Sequence, residues 1–475
     1  MRRSGFHSSV ARRGDAIATS AMVVAAIAIP LRARAQGVDA ARAIDAYVAP
    51  YVATHNFSGQ LLVMRGSVVV YDGQIGESDR EMARPNTRET RFHVASVSMQ
   101  FTAAAVMRLV DRGALTLDTH VSEIVPPVRG GDRITIRNLL EMRSGLSDIN
   151  SRANYAEILK RHQTPASLVS VISDDTLSFE PGSRYAREDH SAYNLLALII
   201  EKKTALSFAQ AMQRVLFLPA GMSHSGVDDD TPIVGPMAKG YSPEGVYGLS
   251  LAEPIHWSAK SGNASAYTTA SDEASWIRAL VHGTLLSPSA RAIVLDTAGP
   301  SVGYGWFRRL NKRFGEFVYS MNGRSPGFAS AVLYLPREDL TVVAFSNIYS
   351  SATSDIAYDV AAIALGLPYT PLAIGTPPLP PDSLALAGAA FTFPKDFYQP
   401  NAVLRFEATG GELFLRWPSG DATPIIPLDA NHLIDRAYWE PIAVVRDSTG
   451  SATEMTYDRF RGDRVTAAAA DSIRR

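Results

Sequence analysis

The chain has 475 residues, of which 46% are hydrophobic and 20% charged, with no cysteine and a formal net charge of −1. That length exceeds one ordinary core and the composition is that of a folded protein, so two or more domains are expected and a disordered chain is excluded. The missing cysteines exclude disulfides, thiolate catalysis and Cys-based metal sites, and nothing in the charge pattern marks a nucleic-acid partner.

Arg2, Arg3, Arg12 and Arg13 precede an apolar run from Ala16 to Leu31, which ends in Ala33-Arg34-Ala35. This pattern predicts a secretory signal peptide over residues 1–35, cut after Ala35, and a periplasmic or secreted mature protein. Removing it takes away six Arg and one Asp and leaves 40 basic against 46 acidic residues. The apolar run is short for a bilayer span and no later stretch is long and apolar enough, so no membrane span is expected after cleavage.

A first domain is expected over residues 36–367. Ala40 to Ala53 carries apolar residues at helical spacing, and Gly59–Met64 and Val68–Tyr71 read as strands joined at Arg65-Gly66-Ser67. Phe101–Val110, following Ser96, and Leu195–Ile200 read as buried helical stretches. Ala329–Leu335 and Leu340–Phe345 read as adjacent strands joined by Pro336-Arg337-Glu338-Asp339. Strands at both ends of a helix-rich middle imply one antiparallel sheet assembled from the two ends. Residues 368–383 contain Pro377-Pro378-Leu379-Pro380-Pro381 and read as a linker. Residues 384–475 hold short extended segments at Val403–Phe406, Glu412–Trp417, Pro424–Pro427 and Ile442–Arg446, which predict a small antiparallel β domain, a barrel or a curved sheet.

The stretch from Phe92 to Ala103, with Ser96-Val97-Ser98-Met99 at its centre, resembles the active-site helix of the class C β-lactamase-related serine hydrolases, which include penicillin-binding proteins, D-alanyl-D-alanine carboxypeptidases, D-aminopeptidases and esterases. Thr135–Leu146, Glu180-Pro181-Gly182, Leu218–Met222, Tyr267–Asp272 and Pro326-Gly327-Phe328 resemble further family segments in the family's order. The resemblance implies an α/β (α+β) fold of the β-lactamase/transpeptidase type, with an antiparallel sheet flanked by a helical region.

In that family a serine opens a buried helix and a lysine follows three residues later, S-x-x-K, because residues three apart share a helix face and an amine there can take the hydroxyl proton. Here Ser96 holds the nucleophile position and Met99 the lysine position, and a thioether is no general base. The family's Y-x-N motif falls near residues 187–190. Counting back from Tyr193 places Glu188 and His190 at its two positions, and counting forward from Gly182 places Arg187 and Asp189 there; neither register contains a tyrosine. The family's H-x-G or K-T-G strand motif corresponds to Met321-Asn322-Gly323, after which the Arg324 N–H is expected to join that of Ser96 as an oxyanion hole.

Two readings of the cleft follow, beside a third in which the protein is purely structural and the C-terminal β domain is its interaction module. In the first the protein is a catalytically degenerate homologue that binds a small-molecule or peptide ligand in the old cleft, with Met99, Asp189, Met321, Asn322, Gly323 and Arg324 around it. In the second Ser96 attacks an acyl substrate with Glu188 or His190 as base. No cofactor is implied, and the ten histidines show no paired ligand spacing that would suggest a metal.

Overall fold

The computed structural model describes residues 39–466 apart from 126, 187–188, 232–234, 297, 300 and 372–380. The expected leader, Glu188 and the centre of the expected linker lie outside the described residues. No helix among those described is long and apolar enough to cross a membrane.

The main sheet is built from both ends of the first domain. Its strands are β1 (Gly59–Arg65), β2 (Val68–Ile75), β3 (Val302–Gly303), β4 (Trp306–Asn311), β5 (Glu316–Ser325), β6 (Phe328–Leu335) and β7 (Leu340–Ser346), and their spatial order is β3-β4-β5-β6-β7-β1-β2. Every pairing in it is antiparallel. All residues of β6 and β7 are buried, because helices cover both faces of the sheet and the strands can be apolar on both.

Successive side chains divide between two cores, as the two-residue period of a strand requires. Val332, Tyr334, Val343 and Phe345 join the larger core, which holds the helices α2 (Ser98–Asp111), α3 (His190–Thr204) and α4 (Ala270–Val281). Ala331, Leu333, Val342 and Ala344 join a second core against α1 (residues 39–53) and α5 (Ala352–Ala364). Ten consecutive residues of α3, Ser191 to Ile200, are buried; a helix apolar all round belongs inside the protein.

Beyond the Pro-rich segment, eight strands β8–β15 (Ala390–Thr392, Val403–Thr409, Glu412–Arg416, Ala422–Pro427, His432–Asp435, Glu440–Arg446, Ala452–Tyr457 and Phe460–Val465) close into an antiparallel barrel. Pairing of β8 with β15 closes it. An eight-stranded barrel has an interior that side chains can fill, here by Phe391, Phe406, Leu415, Trp417, Met455 and Tyr457 among others. The barrel docks through the turn after β12. Ile426, Ile434 and Trp439 enter the second core of the first domain. Arg436, fully buried, donates to His55 O, Asn56 Oδ1, Gly245 O and Gly248 O at 2.7–3.0 Å.

Candidate active site

Ser96 sits on a helical turn, Ala95–Val97, that runs directly into α2. The turn is entered through a left-handed Ala95 (φ 49°), fully buried, a conformation that a β-carbon disfavours and that the surrounding packing must impose. Three contacts supply that constraint. Val94 N–H donates to Ala266 O (3.1 Å), Ser98 Oγ accepts from Ala266 N–H (3.0 Å), and Ser330 Oγ donates to Val94 O (2.6 Å). Gly323 presses against the turn from β5: a β-carbon there would lie 2.5 Å from Ser96 N. Only glycine lets the strand come this close.

Ser96, partly exposed, opens into a cleft of about 670 Å³. Met99, Met142, Asn150, Tyr185, His190, Tyr193, Met321, Asn322, Gly323 and Arg324 share this cleft with it. The pairing of β4 with β5 ends at Ser320, so Met321–Ser325 has no strand partner on that side among the described residues. Extended backbone can pair there beside Ser96. Met99 and Met321 are 3% and 6% exposed and line the cleft as apolar wall. Among the described residues nothing is hydrogen-bonded to the Ser96 hydroxyl.

The segment before α3 separates the candidates that the sequence left in two registers. His190 is the first residue of α3 and reaches the cleft. Its Nδ1 lies 3.1 Å from Asp148 Oδ1, and its backbone N–H donates to the same oxygen at 3.2 Å. Asp148 therefore holds both the ring and the backbone of His190. Asp189 does not line the cleft, which corrects its expected role in ligand binding. It is 1% exposed and caps α3, accepting from Ala192 N–H (3.3 Å) and from Ser144 Oγ (2.8 and 2.9 Å). Burial pushes its carboxyl up to about 7.

Arg324 and Asn322 alternate with Met321 and Gly323 along β5 and so project to the opposite face from Ser96. The Arg324 guanidinium lies between the rings of Tyr349 and Tyr438 (4.9 and 4.3 Å to the centroids) and donates to Ala437 O (3.0 Å). Two of its partners thus come from the barrel, and the side chain borders the outer part of the cleft.

The sequence reading missed Asp148, Asn150, Tyr185 and Tyr193. Asp148 follows almost directly on Ser144-Gly145-Leu146, so asking which polar residue that family-like loop delivers would have found it. Tyr193 served only as a landmark; fully buried, its hydroxyl accepts from Gly305 N–H (3.1 Å) and is held by backbone rather than free to relay protons.

Residues 44–366 match the beta-lactamase family model. The chain is 28% identical over 309 residues to a putative penicillin-binding protein, PbpX, of Bacillus subtilis, covering 64% of this chain and 74% of that one. It is 26% identical over 331 residues to a D-aminopeptidase of Gluconobacter oxydans, covering 66% and 60%. In fold it is similar to the octameric penicillin-binding protein homologue of Pyrococcus abyssi, with a TM-score of 0.60 at 20% identity over 88% of this chain and 98% of that one. With the Ser96 turn, the close approach of Gly323 and the open strand edge in place, the chain belongs to the beta-lactamase family of serine hydrolases.

Proposed function

We propose that this protein binds a small acyl or peptide ligand along the open edge of β5 beside Ser96, and that it has lost ordinary β-lactam and D-peptide turnover. The observation that carries this reading is Met99, one helical turn from Ser96 on the cleft wall, where the reaction needs an amine to take the hydroxyl proton. Loss of general acid–base help costs on the order of 10²–10⁴ in rate, and the members of one catalytic unit fail together. Penicillin-binding proteins and a D-aminopeptidase among the relatives favour a ligand with peptide-like backbone for the strand edge. We also place the protein outside the cytoplasm, on the pattern of residues 1–35; recovery from the periplasmic or secreted fraction with an amino terminus at Gln36 supports this, and recovery of the protein from the cytoplasmic fraction alone refutes it.

A second reading has its own support. His190 shares the cleft and is held by Asp148, an arrangement that puts the proton of the neutral ring on Nδ1 and makes Nε2 the basic nitrogen. The backbone N–H groups of Ser96 and Arg324 would receive the oxyanion, and slow acyl transfer from an activated ester would follow.

Intact-mass measurement after incubation with a fluorophosphonate and with a β-lactam distinguishes the two. The first reading expects less than stoichiometric labelling over hours, unaffected by His190→Gln. Rapid adduct formation on Ser96, absent in Ser96→Ala, overturns it, and if His190→Gln removes that labelling as well, the second reading stands.

A further inference from the structure

Asn150 lies in the helical turn Ile149–Ser151, directly after Asp148, and its half-buried side chain lines the Ser96 cleft. The backbone on either side of it is tied down. Ile149, 1% exposed, donates its N–H to Ser191 Oγ (2.9 Å), and that hydroxyl donates to Ser147 O (2.6 Å). Ser151 N–H closes the turn on Asp148 O (3.0 Å), and the Asp148 carboxylate receives the His190 N–H from the start of α3. The side-chain amide is treated differently. Its Oδ1 is shut off from solvent and accepts no hydrogen bond among the described residues. No other side-chain nitrogen or oxygen of the described cleft wall is both buried and unbonded. Nearby polar groups have partners of their own: His190 has Asp148, the Tyr193 hydroxyl has Gly305 N–H, and the Arg324 guanidinium has Ala437 O. Buried polar atoms are nearly always paired, so an exception on the wall of a cleft calls for a cause.

We propose that Asn150 is a specificity residue of the cleft: its side-chain amide pairs with an amide group of the ligand and so selects peptide-like or N-acylated molecules over apolar ones of the same shape. This rests on the ligand-binding reading above and deepens it. A carboxamide carries a donor and an acceptor side by side, which matches the N–H and C=O of a peptide group. The last side-chain torsion of asparagine is soft, so either end of the amide turns toward the cleft at little cost. The rigid turn behind it means that few degrees of freedom are lost on binding, and the desolvation of the amide is already met in the free protein. A site built to hydrogen-bond one group rejects the analogue that lacks it, because the polar atom then stays unpaired.

The test uses two probes, N-acetyl-D-phenylalanine and the analogue in which an isobutyl group replaces the acetamido group, which keeps the shape and removes both the N–H and the carbonyl. Isothermal titration calorimetry gives the ratio of their affinities for the wild type and for Asn150→Leu. The ratio is compared between proteins because the apolar probe gains from burial in both. The wild type is expected to favour the acetamido probe about 10-fold more than the variant does. Thermal melts without any probe supply a second measurement. An amide whose oxygen bonds nothing is no part of the scaffold, so Asn150→Leu is expected to melt at or above the wild-type temperature; a fall of more than about 3 °C assigns it a structural role and overturns the proposal. Binding of both probes with the same ratio in the two proteins overturns this inference alone. Binding of neither probe to the wild type at about 10 mM removes the ligand-binding reading and this inference with it.

Discussion

The turn that docks the barrel and the turn that presents Ser96 treat their polar groups in opposite ways. In the dock the buried charges of Arg436 and Asp435 each meet several partners. Arg436 bonds to four backbone carbonyls and Asn56. The neighbouring Asp435, fully buried, accepts from Thr423, Tyr457 and the backbone of Ala437 and Tyr438 at 2.7–3.1 Å. At the cleft the backbone is equally well tied, through Val94, Ser98 and Ser330, but the Ser96 hydroxyl is left over. A region that only has to hold saturates its hydrogen-bonding groups, whereas a region shaped to meet a ligand fixes the backbone and leaves the working atom available.

The largest effect expected from this contrast is at the dock. Arg436→Met leaves four carbonyls and an amide without that donor in a buried interface, and should lower unfolding stability by about 3 kcal/mol or more. Urea denaturation followed by tryptophan fluorescence measures it, Trp439 lying in the same interface. A loss below about 1 kcal/mol would mean that apolar contacts alone dock the barrel.

Gly323→Val comes next. The added carbons meet Ser96 N and the Ala95 side chain at 2.5 and 2.9 Å before any relaxation, so the cost should be about 1–3 kcal/mol. Ligand binding and any Ser96 labelling should be lost together, while the barrel core stays intact. Asp189 then supplies a pH test. Its folded carboxyl keeps its proton up to about pH 7, whereas the unfolded chain releases it near 4. The folded state therefore binds more protons within that window, and stability falls as pH rises through it. Asp189→Asn retains an acceptor for Ser144 and removes the titration. The difference in stability between pH 5 and pH 7.5 should shrink by about 1–2 kcal/mol in the variant.

The legible and illegible parts of the sequence divide along the same line. The strands β6 and β7 and the helices α2 and α3 were readable because burial on all sides writes continuous apolar runs. The barrel showed four of its eight strands. Among the others, Phe460–Val465 exposes Arg461, Asp463 and Arg464 and carries Gly462, so its apolar pattern is too sparse to stand out from loop. At the site the nucleophile, the methionines and the glycine followed from motif spacing. Asp148 did not, because its meaning lies in a distance to His190 across two separate segments that no local pattern records. The assignment of Asp189 to the cleft failed for a related reason: a charged triplet reads alike whether a member points into a cavity or caps the helix behind it.

The finest test of the contrast lies within two residues. Ser98 is 3% exposed and its hydroxyl accepts the Ala266 N–H that ties α2 to the neighbouring strand. Ser98→Ala leaves that buried N–H without its partner, at a cost of about 1–2 kcal/mol. Ser96→Ala removes a hydroxyl that bonds to no described group, and its effect on stability should stay within about 0.5 kcal/mol of zero. Parallel thermal melts of the two variants measure the difference. If Ser96→Ala is as damaging as Ser98→Ala, the Ser96 hydroxyl is part of the scaffold, and the cleft loses its claim to an available nucleophile. If it is neutral while Ser98→Ala is not, one helical turn carries both roles, a structural serine facing the strand and a free one facing the ligand.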